Sequence, residues 1–192
     1  EIYDAGGYGM LGFGHKPTQV LDALYKPQVM ANIMTPNEEQ FYFTRVMDSV
    51  IENNPYTKYA LMNSGSEGTA LALRIASTGK GRRAYIALKD GFHGRMDIST
   101  RISDSSREKY DKAIPGMTNE VVSLHVELNN IPELRAAFDV LHSKGYNICA
   151  FIGEPVSGEG NTGATMSPEF YKYIRVLCDQ YKDDYLNKLA SE

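Results

Sequence analysis

The residues Ala84-Tyr-Ile-Ala-Leu88, followed directly by Lys-Asp-Gly-Phe-His-Gly-Arg95, are the stretch that decides the fold class. Five consecutive apolar residues that run into a glycine-containing loop are typical of a buried strand in a parallel sheet. A second apolar run, Ile148-Cys-Ala-Phe-Ile152, is followed by another glycine-rich loop. We therefore predict buried strands whose carboxyl ends carry the functional loops.

Helical patterns alternate with these strands along the chain. The predicted strands are Tyr59–Asn63, Ala84–Leu88, 121–124 and Ile148–Ile152. The predicted helices are 17–25, 38–51, 66–77, 131–143 and 167 to about 181. This alternation predicts an α/β fold, a three-layer sandwich with a mainly parallel sheet and right-handed crossovers.

Composition narrows the class of protein. The chain has 192 residues and a net charge of −4, which argues against a nucleic-acid partner or an anionic membrane surface. No apolar run approaches the roughly 20 residues that span a bilayer. The first residues, Glu1–Asp4, lack both the features of a signal peptide and an initiator Met. We expect a cytoplasmic protein whose sequence begins inside a longer chain or after processing, with Cys149 and Cys178 as reduced core residues and no metal site.

The segment Asn63-Ser-Gly-Ser-Glu-Gly-Thr69 lies between a predicted strand and a predicted helix. One interpretation is an anion site, because the free N–H groups and the dipole of a helix start favour negative charge. The other is an ordinary helix cap, with Ser64 or Ser66 at the N-cap and Glu67 in the first turn. The segment is not a Walker loop, because the Gly-Lys-Ser/Thr ending is absent.

The loop Gly91-Phe-His-Gly-Arg95 follows the first buried strand. An aromatic ring at this sheet edge could stack on a flat heterocycle, and the Arg95 guanidinium could clamp a substrate carboxylate. The alternative is a plain turn in which Phe92 packs inward and Arg95 is solvated.

The loop Gly153-Glu-Pro-Val-Ser-Gly-Glu-Gly160 follows the second buried run and carries two carboxylates. They could orient a cofactor group or neutralise a cation, or they could simply be solvated. The letters Gly158-x-Gly160-x-x-Gly163 also match a dinucleotide-binding fingerprint. That motif requires a second strand ending in an acid about 20 residues later, and no strand precedes Asp183 or Asp184.

Taken together, an anion cradle, an aromatic platform and acidic groups at one sheet edge suit a flat, phosphorylated cofactor. These motifs, preceded by the glycine-rich segment Tyr3–Pro17 with its Gly-His-x-Pro ending, resemble the class III aminotransferases. This group of the fold type I family that depends on pyridoxal 5'-phosphate (PLP) includes glutamate-1-semialdehyde aminomutases and ornithine-type aminotransferases. The resemblance covers about residues 3 to 181 and comprises four motifs in the right order.

The resemblance implies a role for each matching residue. Cofactor-binding positions would be Ser64, Gly65 and Ser66 at the phosphate and Phe92 on the pyridine ring, together with His93 and Glu154. Substrate-binding positions would be Tyr8, Arg95 and Glu159. The chain departs from the family at Gly68, where relatives usually carry alanine; this loosens the helix start by up to about 1 kcal/mol.

The resemblance also implies an activity: PLP-dependent transfer of an amino group between an amine or amino acid and a carbonyl acceptor. In that family an Asp-Glu-Val strand and the Schiff-base lysine come later in the chain, and we find neither here. Lys89, Lys182 and Lys188 match no family motif, so the catalytic residue stays unknown and we expect this chain alone to be incomplete and inactive.

The resemblance further suggests a homodimer, or a chain that needs a complementing segment. The implied division is an N-terminal segment over 1–36, a partial PLP-binding large domain over 37–182 and a polar tail over 183–192. Two alternatives stay open: a non-catalytic binding or assembly module of the same fold, and a nucleotide-binding α/β domain.

Overall fold

The computed structural model describes residues 2–4, 11–27, 35, 37–79, 81–105, 107–109 and 121–191. The chain forms two compact units, Glu1–Leu61 and Met62–Glu192. The division predicted from the sequence, with segments over 1–36, 37–182 and 183–192, stays a prediction. Tyr8, a predicted substrate residue, lies outside the described residues.

The first unit contains two described helices, α1 (Thr18–Leu24) and α2 (Glu38–Val50), close to the bounds that the sequence predicts. Helix α2 begins with a capping box. The Gln40 amide donates to Asn37 Oδ1 (2.8 Å), and the Asn37 amide donates to Gln40 Oε1 (3.1 Å). These two bonds satisfy free amides at the helix start and fix where α2 begins.

The second unit alternates helices and strands. In chain order these are α3 (Gly65–Ala76), β1 (Arg82–Leu88), α4 (Asp97–Ile102), β2 (Val122–Val126), α5 (Ile131–Ser143), β3 (Tyr146–Ile152) and α6 (Pro168–Ser191). The strands form a parallel sheet in the order β2-β1-β3. The predicted α/β class and parallel sheet are confirmed.

Two apolar cores flank the central strand β1, because its side chains alternate between the sheet faces. Ala84, Ile86 and Leu88 face one core with residues of α5 and α6. Tyr85 and Ala87 face the other, with Leu73 of α3 and Ile102 of α4. Helices therefore cover both faces of the sheet, which is the predicted three-layer sandwich.

Both cysteines are free thiols, as predicted. Cys149 lies at an irregularity of β3, where the pairing with β1 shifts between Ala84 and Tyr85. It packs at the α3/α4 face, whereas Cys178 packs at the α5/α6 face. Burial raises the pKa of both thiols, which keeps them protonated at neutral pH.

One strand prediction was wrong, and a second was wrong in part. Residues 59–63 form no strand, and the Tyr59 hydroxyl instead donates to Asp48 Oδ1 of α2 at 2.9 Å. A short apolar run needs a neighbouring strand to become part of a sheet, and none pairs with it within the described ranges. β3 forms as predicted but is only partly buried along its length, because β1 is its one pairing partner among the described strands.

Two helices differ from those that the sequence predicts. Helix α4 was not predicted, since its sequence Asp-Ile-Ser-Thr-Arg-Ile is short and rich in β-branched residues. Helix α6 begins as predicted, with the Phe170 amide donating to Ser167 Oγ at 3.1 Å. It continues to Ser191 because no glycine or proline interrupts it. No helix in the described part of the chain is long and apolar enough to cross a membrane.

Candidate active site

The start of α3 is an N-capped helix. Ser64 is the N-cap residue, and its Oγ accepts a hydrogen bond from the Glu67 amide at 3.2 Å. In return, Glu67 Oε2 accepts from the amides of Asn63 (2.8 Å) and Ser64 (3.1 Å). The capping interpretation of this segment is therefore confirmed for Ser64, and the carboxylate of Glu67 uses the two amides before the helix.

The amides of the next two residues, Gly65 and Ser66, could bind an anion. The first helical bond of α3 runs from the Gly68 amide to the Ser64 carbonyl at 3.1 Å, so the amides of Gly65 and Ser66 have no helical acceptor. A Cβ added at Gly65 would meet nothing within 4 Å. Capping and anion binding are thus compatible here, since they use different N–H groups.

The loop that follows β1 packs against this helix start. Gly94 has a φ of +112°, and a Cβ on it would stand 2.6 Å from Ser66 Oγ. The Arg95 amide donates to that same Ser66 Oγ at 3.2 Å. The Ser66 hydroxyl accepts this bond and keeps its own proton for another acceptor.

Phe92 and Arg95 lie next to each other on this loop. Phe92 is half-buried, and the Arg95 guanidinium carbon lies 5.9 Å from the centre of its ring. Arg95 is exposed. The arrangement sets an exposed cation over a half-buried ring, so the ring could stack on a flat group and the cation could bind a carboxylate.

His93 is buried, at 7% exposure. Its amide donates to Ser103 Oγ at 2.8 Å, at the end of α4. Its ring Nε2 is buried and has no hydrogen-bond partner among the described residues. Burial lowers the pKa of this imidazole, against the opposing charge of Glu154, so the ring is neutral at pH 7.

Glu154 follows β3 and bridges two loops. Its Oε1 accepts from the Phe92 amide at 3.1 Å, and its Oε2 accepts from the Gly158 amide at 2.7 Å. The same loops touch again at Gly160, where an added Cβ would stand 2.3 Å from the Asp90 carbonyl oxygen. β1 and β3 are neighbours in the sheet, which is why their carboxyl-end loops meet.

The fold thus brings six predicted cofactor positions onto adjoining segments at one sheet edge: Ser64, Gly65, Ser66, Phe92, His93 and Glu154. Arg95 lies with them, whereas Glu159 is an exposed residue farther along its loop. The contacts of Ser103 with His93 and of Gly160 with Asp90 were missed by sequence reasoning. Ser103 has no motif of its own, and the positive φ of Gly160 appears only in the folded chain.

The dinucleotide fingerprint does not take the form its chemistry requires. The Gly163 amide donates to the Ser157 carbonyl at 2.8 Å, and Val156 pairs with Thr165 in an isolated bridge. Helix α6 begins only at Pro168, after this closed loop. The glycines therefore do not open a helix, as a pyrophosphate-binding turn must.

Comparison with known proteins agrees with these motifs. The model of the aminotransferase class-III family matches residues 1–183. The chain belongs to the class-III aminotransferase family. The resemblance inferred from the sequence is thereby confirmed.

Relatives of this class-III chain include the succinylornithine transaminase of Photorhabdus laumondii. It is 27% identical over 185 residues, a match covering 93% of this chain and 43% of that protein. The ornithine aminotransferase of Toxoplasma gondii superimposes with a TM-score of 0.73 at 22% identity, covering 92% of this chain and 41% of that one. The chain therefore spans less than half the length of these relatives.

A third comparison extends the structural likeness. The taurine:2-oxoglutarate aminotransferase of Bifidobacterium kashiwanohense, solved with PLP and glutamate, has a TM-score of 0.67 at 15% identity. The match covers 88% of this chain and 42% of that one. The predicted fold, part of the fold type I large domain, is confirmed by this likeness.

Proposed function

We propose that this chain forms the phosphate- and ring-binding part of a PLP-dependent aminotransferase. The observation that carries the proposal is the bond from the Arg95 amide to Ser66 Oγ, which places the Phe92 loop directly against the open helix start of α3. A phosphate bound by the amides of Gly65 and Ser66 would then have an aromatic platform beside it.

The residues present fit such a cofactor. The space at Gly65 is open, Phe92 is half-buried, and the buried Nε2 of His93 is without a partner in the described chain. Ser64 and Ser66 supply hydroxyl donors. PLP, where bound, supplies the electron sink that allows an amino group to be moved between carbon atoms.

The same proposal assigns the substrate side. The exposed Arg95 guanidinium is suited to a substrate carboxylate, and we propose that Glu159 and Tyr8 also contact substrate. The relatives are a succinylornithine transaminase and an ornithine aminotransferase, whose names imply amino-acid donors and carbonyl acceptors. We propose substrates of this class, and a cytoplasmic homodimer or a chain completed by another segment.

Equilibrium binding tests the proposal. PLP is titrated into the chain and followed through quenching of tyrosine fluorescence, with inorganic phosphate as a competitor. We expect saturable binding that phosphate displaces and that Ser66→Ala and Phe92→Leu each weaken about tenfold, by loss of a charge-assisted bond or of stacking. Ser143→Ala, at the exposed end of α5, is the matched control and should change nothing.

Nonspecific attachment would look different. PLP reacts with exposed lysines, so borohydride reduction and mass spectrometry identify any lysine adducts. Adducts on many lysines, with binding unaffected by phosphate or by the two substitutions, would contradict the proposal. Tight binding of a dinucleotide without PLP binding would instead support the nucleotide-binding alternative.

A further inference from the structure

Three amides of the Phe92 loop donate to three different elements. The Phe92 amide donates to Glu154 after β3 (3.1 Å), the His93 amide to Ser103 at the end of α4 (2.8 Å), and the Arg95 amide to Ser66 of α3 (3.2 Å). The loop is therefore held from three directions. Of the three acceptors, Glu154 is the carboxylate, so its bond is the charge-assisted one.

Of the three acceptors, Glu154 is the most distant in sequence from its donor. It lies 62 residues from Phe92 and uses its second oxygen on Gly158, four residues away in its own loop. Its two oxygens thus tie the loop after β1 to the loop after β3. Both oxygens accept hydrogen bonds from backbone amides, and the Glu154 side chain thereby joins the two loops. We call this pair of hydrogen bonds the brace.

We propose that Glu154 is a positioning residue that fixes the Phe92 platform through the backbone, and that it is not itself a ligand of the cofactor. The proposal deepens the proposed function and rests on it for the role of Phe92. The geometry supports it independently, because each carboxylate oxygen accepts a hydrogen bond from a backbone amide, one of Phe92 and one of Gly158.

Amide hydrogen exchange on the cofactor-free chain tests the brace directly. In Glu154→Ala we expect the amides of Phe92 and Gly158 to exchange about tenfold to a hundredfold faster, as suits the loss of a bond to a charged acceptor. The amide of Ile86 in β1 serves as an internal reference for global stability. Ser103→Ala is the matched control, because it should release the His93 amide and leave the amides of Phe92 and Gly158 protected.

A double-mutant cycle on PLP affinity separates positioning from direct binding. If Glu154 acts through Phe92, Glu154→Ala weakens PLP binding in the natural chain but has little further effect on Phe92→Leu. A residue that touches the cofactor itself would weaken binding by a similar factor in both backgrounds. Glu169→Gln, an exposed acid in the first turn of α6, controls for a general loss of negative charge.

Each outcome decides the matter. Unchanged protection at Phe92 and Gly158, or additive losses of PLP affinity, would overturn the brace. If Glu154→Ala does not fold, Glu154→Gln takes its place: it keeps one acceptor oxygen and turns an NH2 group toward the other amide, which should lose protection. If the natural chain binds no PLP, the proposed function fails while the exchange result still tests the brace.

Discussion

Gly94 lies so close to Ser66 that no side chain fits between the two residues. A Cβ at Gly94 would stand 2.6 Å from Ser66 Oγ and 2.9 Å from its Cα. The backbone of Gly94 also has a φ of +112°, a conformation that other residues rarely adopt. Glycine at this position therefore allows the Phe92 loop to pack against the helix start of α3.

Gly94→Ala should consequently damage both stability and binding. We expect a loss of about 2 kcal/mol or more in the free energy of unfolding, from backbone strain together with the clash. PLP affinity should fall as well, because the loop must move away from Ser66. Urea denaturation and the PLP titration measure the two effects.

Gly145→Ala is the matched control for this substitution. Gly145 has a φ of +74° at the end of α5, but a Cβ on it would meet nothing within 4 Å. It precedes β3, at the sheet edge opposite the candidate site. This control should lose only about 1 kcal/mol from backbone strain and keep PLP affinity. Equal effects of the two substitutions would contradict the importance of the Gly94–Ser66 approach.

The layers of the fold were predictable because their signals are local. The apolar run Ala84–Leu88 and the helical spacing over Ile131–Ser143 each identify an element without knowledge of its neighbours. The rule that parallel strands carry loops at their carboxyl ends then placed the loops after β1 and β3 on one edge. Residues 59–63 show where this reasoning fails, because a strand also requires a partner.

The contacts inside the site were not predictable, because they join distant residues. Glu154 could be recognised as an acid at the right edge, but its two backbone partners depend on how the loops meet. Ser103 follows α4, a helix that the sequence pattern did not indicate, and so its bond to the His93 amide was missed. Residue types were thus predictable from motifs, whereas their hydrogen-bond partners required the folded chain.

Gly68→Ala should stabilise the protein. Gly68 lies within α3, and a Cβ added there would meet nothing within 4 Å. Alanine is favoured over glycine in a helix by about 0.5 to 1 kcal/mol, chiefly because it restricts the unfolded chain. The gain should appear as a higher midpoint of urea denaturation with an unchanged slope. A loss of stability would show that the helix start needs glycine for another reason.

Substitutions of Ser64 should separate capping from anion binding. Asparagine and aspartate are N-caps as good as serine, so Ser64→Asn and Ser64→Asp should both retain nearly full stability. Aspartate also adds a negative charge next to the amides of Gly65 and Ser66. We expect it to weaken phosphate and PLP binding about tenfold relative to Ser64→Asn, and to do so most at low salt.

The comparison with alanine completes this test. Ser64→Ala removes the acceptor of the Glu67 amide, and stability should fall by about 1 kcal/mol. Thermal or urea denaturation measures the loss. If Ser64→Asp bound phosphate as tightly as Ser64→Asn does, the anion would have to bind away from the start of α3.

His93 should make stability depend on pH in a window that carboxylates do not share. Burial lowers the pKa of its imidazole from the ordinary value of 6.5, with a smaller opposing effect of Glu154 and a smaller reinforcing effect of His125. The His93 imidazole therefore binds a proton more readily in the unfolded chain than in the folded chain. The contribution of His93 to the free energy of unfolding is fully present above about pH 6.5 and declines as the pH falls below that value.

Urea denaturation at pH 5, 6 and 7 checks this dependence, with His93→Gln as the variant that cannot titrate. Glu133 and Asp139 also have lowered pKa values, but their ordinary values are 4.5 and 3.8, so their contributions decline mainly at lower pH. The natural chain should lose stability between pH 7 and pH 5, and the variant should lose less. The same slope in both would mean that the His93 ring takes up its proton in the folded protein without penalty, which its buried Nε2 argues against.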